Sequence, residues 1–341
     1  MTLRLKPLAD QAIVITGASS GIGLATAHAA AGAGARVLLV ARNEPALQEA
    51  VEKIRSSGGS ADYAIADVDD RGQVEAAAAK AVDCFGRIDT WVNNAGVAIY
   101  APLLETPEDA HRRMVRTNYF GVVNGCLTAV RHLRDNGGAL ITVGSIAADM
   151  PSPILGAYAA TKHATKGYVE SLRIELGAAG LPISVTLVKP SGIDTPIGEH
   201  ALNLLDGEAL IPPPVYDPSL VAQAILDCAV HPRREITVGG AGRMQALFAE
   251  HFPVLFEKLA PMLVPKLSDK SVPKTGSDAL DGPAQGGNER STLLSGRTWS
   301  AYTSAKLHPA LTSAAMGLGT ALLAGAAWSA LRKPAPKARK R

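Results

Sequence analysis

An open parallel sheet with helices on both faces, a doubly wound α/β fold, is the class this sequence predicts. From residue 11 to about 190, short β-branched runs alternate with longer Ala-rich segments. The runs are almost continuously apolar, as strands covered on both faces are, and the first of them leads directly into a glycine-rich turn that opens a helix.

The first strand is AIVIT, 12–16, and five apolar residues after Arg4 and Lys6 are too few for a secretory leader. TGASSGIG, 16–23, follows it and opens a helix from Ile22. Gly17 permits a tight turn, Gly21 lets a pyrophosphate approach the backbone, and Gly23 seats the helix against the sheet; Ser19, Ser20 and Ile22 complete this dinucleotide-binding turn. The second strand, ARVLLVA, ends at Ala41, where an NAD-selective site carries an acid, and Arg42 comes next. A guanidinium can bind a 2′-phosphate by charge-assisted hydrogen bonds, so NADP(H) is expected over NAD(H).

A helix over 44–57, the strand ADYAIAD, a helix over 71–85 and the strand DTWVNNA continue the alternation. A helix over 108–135, the strand GALITVGS, a helix over 157–179 and the strand PISVTLVKP complete it. A helix over 218–230 and the strand REITVGG, 234–240, extend the sheet at one edge. Residues 196–217, with PPP at 212–214, are too long for an ordinary connection and follow the sixth strand, so they are expected to form a substrate loop. In GAYAATKHA, 156–164, Tyr158 and Lys162 are four residues apart and share one helix face.

TGASSGIG, NNAG at 93–96, Asn118, Ser145, YAATK at 158–162 and PSGIDT at 190–195 together resemble the short-chain dehydrogenase/reductase family in its one-domain form, over about residues 8–240. The resemblance implies a Rossmann domain in which Tyr158 is the general acid/base, Ser145 hydrogen-bonds the substrate oxygen and Lys162 binds the nicotinamide ribose. Asn118 would hold a water of the proton relay. A free phenol has a pKa of about 10. The Lys162 ammonium and an oxidised nicotinamide are expected to lower that of Tyr158.

The resemblance further implies that Asp67 and Val68 border the adenine and that Asn94, Ala95 and Gly96 pass the adenosine ribose, while Asn93 tethers strands. Pro190 and Ile193 would lie over the nicotinamide carboxamide and Thr195 would reach the phosphates. Ser191 replaces the family's usual glycine, which puts the local backbone path in question. Helices 108–135 and 157–179 suggest, by analogy, a homodimer or homotetramer.

The remaining features bound the function. Hydrophobic residues make up 47% of the 341 and aromatics only 4%, which gives no stacking platform for nucleic acid. The net charge of +3 resides in the tail: 332–341 carries six Lys or Arg, and without it 28 basic residues face 31 acidic ones. Three dispersed cysteines offer neither a metal set nor a disulfide framework, which fits a cytoplasmic catalytic domain.

The domain division expected is therefore 1–242 for the catalytic domain, 243–264 for an apolar helical segment broken by Pro253 and Pro261, and 265–306 for a flexible linker. Residues 307–331, free of Asp, Glu, Lys and Arg, form a hydrophobic helix before the basic tail. As a helix of ~35 Å this run could reach across a bilayer core of ~30 Å. Membrane contact through 307–341 is the expectation, and a soluble oligomerisation helix is the alternative.

The function expected is an NADP(H)-dependent interconversion of a secondary alcohol and a ketone, or of an aldehyde and the corresponding alcohol, on a hydrophobic substrate. A catalytically silent cofactor-binding module, recruited to a membrane or protein by its tail, is the alternative; retention of Ser145, Tyr158 and Lys162 disfavours it.

Overall fold

The structure, a computed structural model, describes residues 3–274, 278–284, 286–310 and 312–313. Seven strands form one parallel sheet: β1 Ala12–Thr16, β2 Arg36–Ala41, β3 Ser60–Ile65, β4 Thr90–Asn93, β5 Gly138–Val143, β6 Ile183–Pro190 and β7 Glu235–Val238. Their spatial order is β3-β2-β1-β4-β5-β6-β7, with Ile13 beside Val37 on one flank and Thr90 on the other. The order reverses between β1 and β4, and the strand ends there open a crevice for a ligand.

The strands are buried on both faces. Ile13, Ile15, Val37 and Leu39 belong to one apolar cluster, while Val14, Leu38 and Val40 belong to the other. Helices α1 (Gly21–Gly32), α2 (Glu44–Ser56) and α7 (Pro218–Val230) pack into the first cluster; α3 (Arg71–Phe85), α5 (Gly121–Leu133) and α6 (Gly156–Ala178) pack into the second. Small residues let α1 approach closely: Ala27 and Ala30 are fully buried. At Gly23 the contact is tighter still, since a β-carbon would stand 2.2 Å from the Gly17 carbonyl oxygen.

Side chains cap three of these helices. Asn43 accepts from Ala46 N–H at 3.0 Å, Asp70 from Gln73 N–H at 3.1 Å and Asp217 from Ser219 N–H at 2.9 Å. Such a cap contributes about 1 kcal/mol. Ser20, at the start of α1, makes no side-chain capping bond.

The helix expected over 108–135 is interrupted. Between α4 (Glu108–Val115) and α5 the chain makes one π-helical turn, Arg116–Phe120, which buries Asn118 completely. The 196–217 loop forms two short pairings: Leu202–Asn203 runs parallel to Ile99–Tyr100, and Glu208–Ala209 runs antiparallel to Ser268–Asp269. Pro253 begins α9 (Pro253–Leu259) directly after α8 (Gly240–His251), and Pro261 lies in the 3-10 turn Ala260–Lys266.

Residues 278–284 and 286–300 depart from the tether that their composition predicts. Arg290 Nε donates to Asp217 at 2.7 Å, Ser291 N–H to Asp194 at 3.1 Å and Arg297 N–H to the Val215 carbonyl at 2.9 Å. Helix α10 (Ala301–Leu307) then packs beside β7. These are polar and main-chain ties, which leave no apolar periodicity in the sequence. No helix among the described residues is long and apolar enough to cross a membrane, and the hydrophobic run beyond 313 lies outside them.

Candidate active site

A cleft of about 410 Å³ runs along the carboxyl ends of β1, β2, β4, β5 and β6. Its size is within the range of ~300–1,000 Å³ typical of ligand sites. Gly17, Ser19, Ser20, Gly21 and Ile22 line one end with Arg42, Asp67 and Val68; Asn94, Ala95 and Gly96 form the middle. Ser145, Tyr158 and Lys162 line the other end, with Pro190, Ile193 and Thr195 along the β6 side. Gly23 and Asn118 lie behind the wall, where each holds structure together.

The turn after β1 is braced from behind. Asn94 Nδ2 donates to the carbonyls of Thr16, at 2.9 Å, and Gly17, at 3.1 Å, while Thr16 Oγ1 accepts from the N–H groups of Asn94 and Ala95. Gly17 itself has φ +65° and backs onto Ala95, whose Cα would stand 2.6 Å from an added β-carbon. Thr195 overhangs the turn, its Cβ 3.3 Å from where a Gly21 β-carbon would be. The α1 N-terminus, with its positive dipole end and no side-chain cap, thus faces the cleft. These donors suit the pyrophosphate of a dinucleotide.

Arg42 extends from the end of β2. One of its terminal nitrogens is 3.5 Å from Asp67; the other donates to the carbonyls of Ala279 at 2.5 Å and Gly282 at 2.8 Å. Asn93 is a tether, as expected: its amide reaches Thr142 on β5 and Cys126 on α5. Ser191 does not disturb the backbone. Its hydroxyl donates to the Gly239 carbonyl at 2.8 Å, and Gly239 and Gly242 leave the room for it.

At the reactive end, Ser145 follows β5, and its Oγ accepts from Ala147 N–H at 3.1 Å. One helical turn of α6 brings Lys162 Nζ to 5.5 Å from the centroid of the Tyr158 ring. That ammonium is buried, 4% exposed, and donates to the Val143 carbonyl at 3.2 Å. Burial lowers its pKa to about 8. Burial pushes the Tyr158 phenol up to about 12, against a hydrogen bond with Ser145 that acts to lower it. The direction opposes the lowered phenol expected from the sequence, because desolvation of the phenolate outweighs the neighbouring groups.

Asn118 is committed to the protein. Its Oδ1 accepts from Val97 N–H at 2.8 Å, its amide donates to the Val97 carbonyl and Thr161, and its own carbonyl accepts from Thr165. A β-carbon on Gly96 would lie 3.4 Å from Asn118 Oδ1 and 3.8 Å from Lys162 Nζ, so these three residues share one corner.

Sequence reasoning missed Tyr100 and His200, both on the cleft wall. Tyr100 is held above the ordinary phenol range by burial and then by the nearby Tyr158 oxygen. It also missed the Asp149 cluster behind Ser145. Lys166 lies 2.6 Å and the buried Lys189 2.7 Å from Asp149, and Lys189 is also 3.2 Å from Glu235. Only the four-residue steps from Ser145 to Asp149 and from Lys162 to Lys166 hinted at it. Among the described residues no cluster of His, Cys, Asp and Glu could hold a metal ion.

Residues 11–203 match the family described as short chain dehydrogenase. The chain is 44% identical over 256 residues to an uncharacterized oxidoreductase of Bacillus subtilis (strain 168), YxnA, an alignment covering 74% of this chain and 72% of that protein. It is 33% identical over 210 residues to dehydrogenase/reductase SDR family member 7B of Bos taurus, covering 59% of this chain and 63% of the relative.

Among solved structures, a short chain dehydrogenase/reductase SDR from Burkholderia phymatum in complex with NAD superposes with a TM-score of 0.67. At 24% identity over 74% of this chain and 96% of that one, it shows the fold alone. An alcohol dehydrogenase from the archaeon Thermococcus sibiricus complexed with 5-hydroxy-NADP gives 0.59 at 26% identity, over 67% and 95% of the two chains. With the matched segment spanning β1 through β6, the chain is an oxidoreductase of the short-chain dehydrogenase family.

Proposed function

We propose that the chain is an NADP(H)-dependent oxidoreductase that interconverts a hydrophobic secondary alcohol and its ketone, or an aldehyde and its alcohol. One observation carries the reading: a single cleft has a phenol, a hydroxyl and an ammonium at one end and a guanidinium at the other. Ile146, Met150, Leu155, Ile197, Phe256 and Leu263 give it an apolar wall.

The glycine turn and the α1 N-terminus would hold the pyrophosphate, Arg42 the 2′-phosphate and Lys162 the nicotinamide ribose. When bound, the nicotinamide supplies or takes up the hydride. Ser145 Oγ would hydrogen-bond the substrate oxygen and fix it against Tyr158. With its raised pKa the phenol keeps its proton at neutral pH, so it is set to give that proton to a carbonyl oxygen that is becoming an alkoxide. In oxidation the same oxygen takes the proton back, and Lys162 beneath the ring stabilises the phenolate.

The test follows NADPH absorbance with a panel of apolar ketones. Tyr158→Phe is expected to lower kcat by about 10²–10⁴-fold with little change in NADPH binding. A substrate-dependent signal of wild-type size in that variant would sink the mechanism.

The reading extends to assembly and location. Phe120, Leu127 and Ile174 are exposed on the α5–α6 side of the molecule, 49%, 38% and 73% respectively, which supports a homodimer or homotetramer formed there. We infer a cytoplasmic catalytic domain with membrane contact by the tail. Fractionating cells that express the full chain or a version ending at Ser313 tests this, and equal recovery in the soluble fraction would remove the membrane contact.

A further inference from the structure

Residues 279–284 and 286–289 lie across the adenosine end of the cleft and take up two groups assigned to the cofactor's phosphates, the Arg42 guanidinium and Gly21 N–H. Arg42 gives both hydrogen bonds from one terminal nitrogen to the carbonyls of Ala279 and Gly282. Asn43 Nδ2 donates to the Ala284 carbonyl at 2.7 Å. Gly287 N–H donates to the Ser19 carbonyl at 2.8 Å, and the Asn288 carbonyl accepts from Gly21 N–H at 2.9 Å, the first donor of α1. Next along the chain, Glu289 is 2.6 Å from His28 Nδ1. Ala279 and Leu280 are each only 8% exposed.

A guanidinium nitrogen of this kind carries two hydrogens. Carbonyl oxygens and phosphate oxygens are both acceptors, so at this nitrogen of Arg42 they exclude one another. A cofactor with a 2′-hydroxyl makes no claim on that nitrogen.

We propose that segment 279–284 is a specificity-determining part of the cofactor site: seated, it satisfies Arg42 in place of a 2′-phosphate, and a 2′-phosphorylated dinucleotide must displace it to bind. This rests on the reading that Arg42 receives the 2′-phosphate. Residues 286–289 compete with the pyrophosphate of either cofactor for Gly21 N–H, but only a 2′-phosphorylated one must also displace 279–284 from Arg42, so the segment weakens NADP(H) binding more than NAD(H) binding.

The segment can be lifted without altering any residue of the cleft. A β-carbon on Gly286 would stand 2.3 Å from Ala46 Cβ and 3.1 Å from the Ser19 carbonyl oxygen, so Gly286→Ala forces the segment away. Gly287, at φ +94°, strains under the same change and supplies a second variant. The probes are adenosine 2′,5′-bisphosphate and 5′-AMP, titrated calorimetrically into the full-length proteins. In Gly286→Ala the preference for the bisphosphate over AMP is expected to rise about tenfold, the scale of one charge-assisted hydrogen bond released.

An equal preference for the bisphosphate in wild type and variant overturns the proposal and leaves Arg42's role standing. No preference in either protein overturns both. Hydrogen exchange on the wild type decides the matter independently of how the variants fold: saturating bisphosphate should speed exchange across 279–284, the part that Arg42 holds, and AMP should not. Slower exchange with the bisphosphate would mean that the segment closes on the phosphate, contrary to the proposal.

Discussion

At the scale of single residues, the reactive end is defined by burial acting in opposite senses on two neighbours. Burial of the charged forms lowers Lys162 to about 8 and raises Tyr158 to about 12. Unfolded, these groups titrate near 10.4 and 10. Between about pH 8 and 10 the unfolded chain therefore binds more protons at Lys162, and stability from this group rises with pH; above 10 the still-protonated Tyr158 reverses the sign. For carbonyl reduction, kcat/KM is expected to hold through neutrality and fall as pH rises through about 8, when Lys162 loses its charge. Lys162→Arg should abolish that limb, because a guanidinium stays charged. A wild-type profile flat to pH 10 would refute the assignment.

Between elements, Asp149 joins three parts of the site: the turn after Ser145, helix α6 through Lys166, and β6 through Lys189. Burial by itself would raise the Asp149 carboxyl, but hydrogen bonds and charge from Lys166 and Lys189 leave it below its ordinary range. Its contribution to stability is thus present above the unfolded value of about 3.9 and is lost as pH falls through the depressed one. Asp149→Asn leaves the buried Lys189 ammonium with Glu235 as its one carboxylate and should cost about 1.5–3 kcal/mol in urea unfolding, the scale of a hydrogen bond to a charged group. The loss should vanish in strong acid; a penalty independent of pH would contradict the charge argument. Gly242→Ala tests a different joint. Its β-carbon would stand 2.4 Å from Ser191 Oγ, so a loss of about 1–3 kcal/mol is expected in thermal unfolding.

At the scale of the whole molecule, the outward apolar residues of α5 and α6 and the polar C-terminal segment solve different problems. Ile174 is 73% exposed, so Ile174→Asp should leave thermal unfolding of the protomer intact and, if the proposed oligomer forms through this side, shift sedimentation toward monomer. An unchanged mass would place any oligomer interface elsewhere. The C-terminal segment is held by donors and acceptors of the body, such as Asp217 for Arg290 and Asp194 for Ser291. Raising salt should weaken the exposed part of that attachment more than it weakens the apolar core.

The strand and helix alternation was legible in the sequence because burial of both sheet faces demands continuous apolar strands, and AIVIT and PISVTLVKP meet that demand. Part of the cleft was legible too: Gly17 stands in a turn of recognisable spacing and Tyr158 and Lys162 one helical turn apart, while the family resemblance supplied the rest and left out Tyr100 and His200. Spacing could not show that Asn118 serves the Val97 backbone, because the π-helical turn that carries it inward has no residue pattern of its own. Nor could it show Arg42 bound to Ala279 and Gly282, more than two hundred positions away. The sequence by itself determined the strand and helix alternation and the glycine turn, because those follow from local periodicity and turn chemistry, while the family resemblance marked Ser145, Tyr158 and Lys162. Only the tertiary structure decided the protonation balance of Tyr158 and Lys162 and what Arg42 touches, because desolvation and main-chain hydrogen bonds depend on what lies nearby in space.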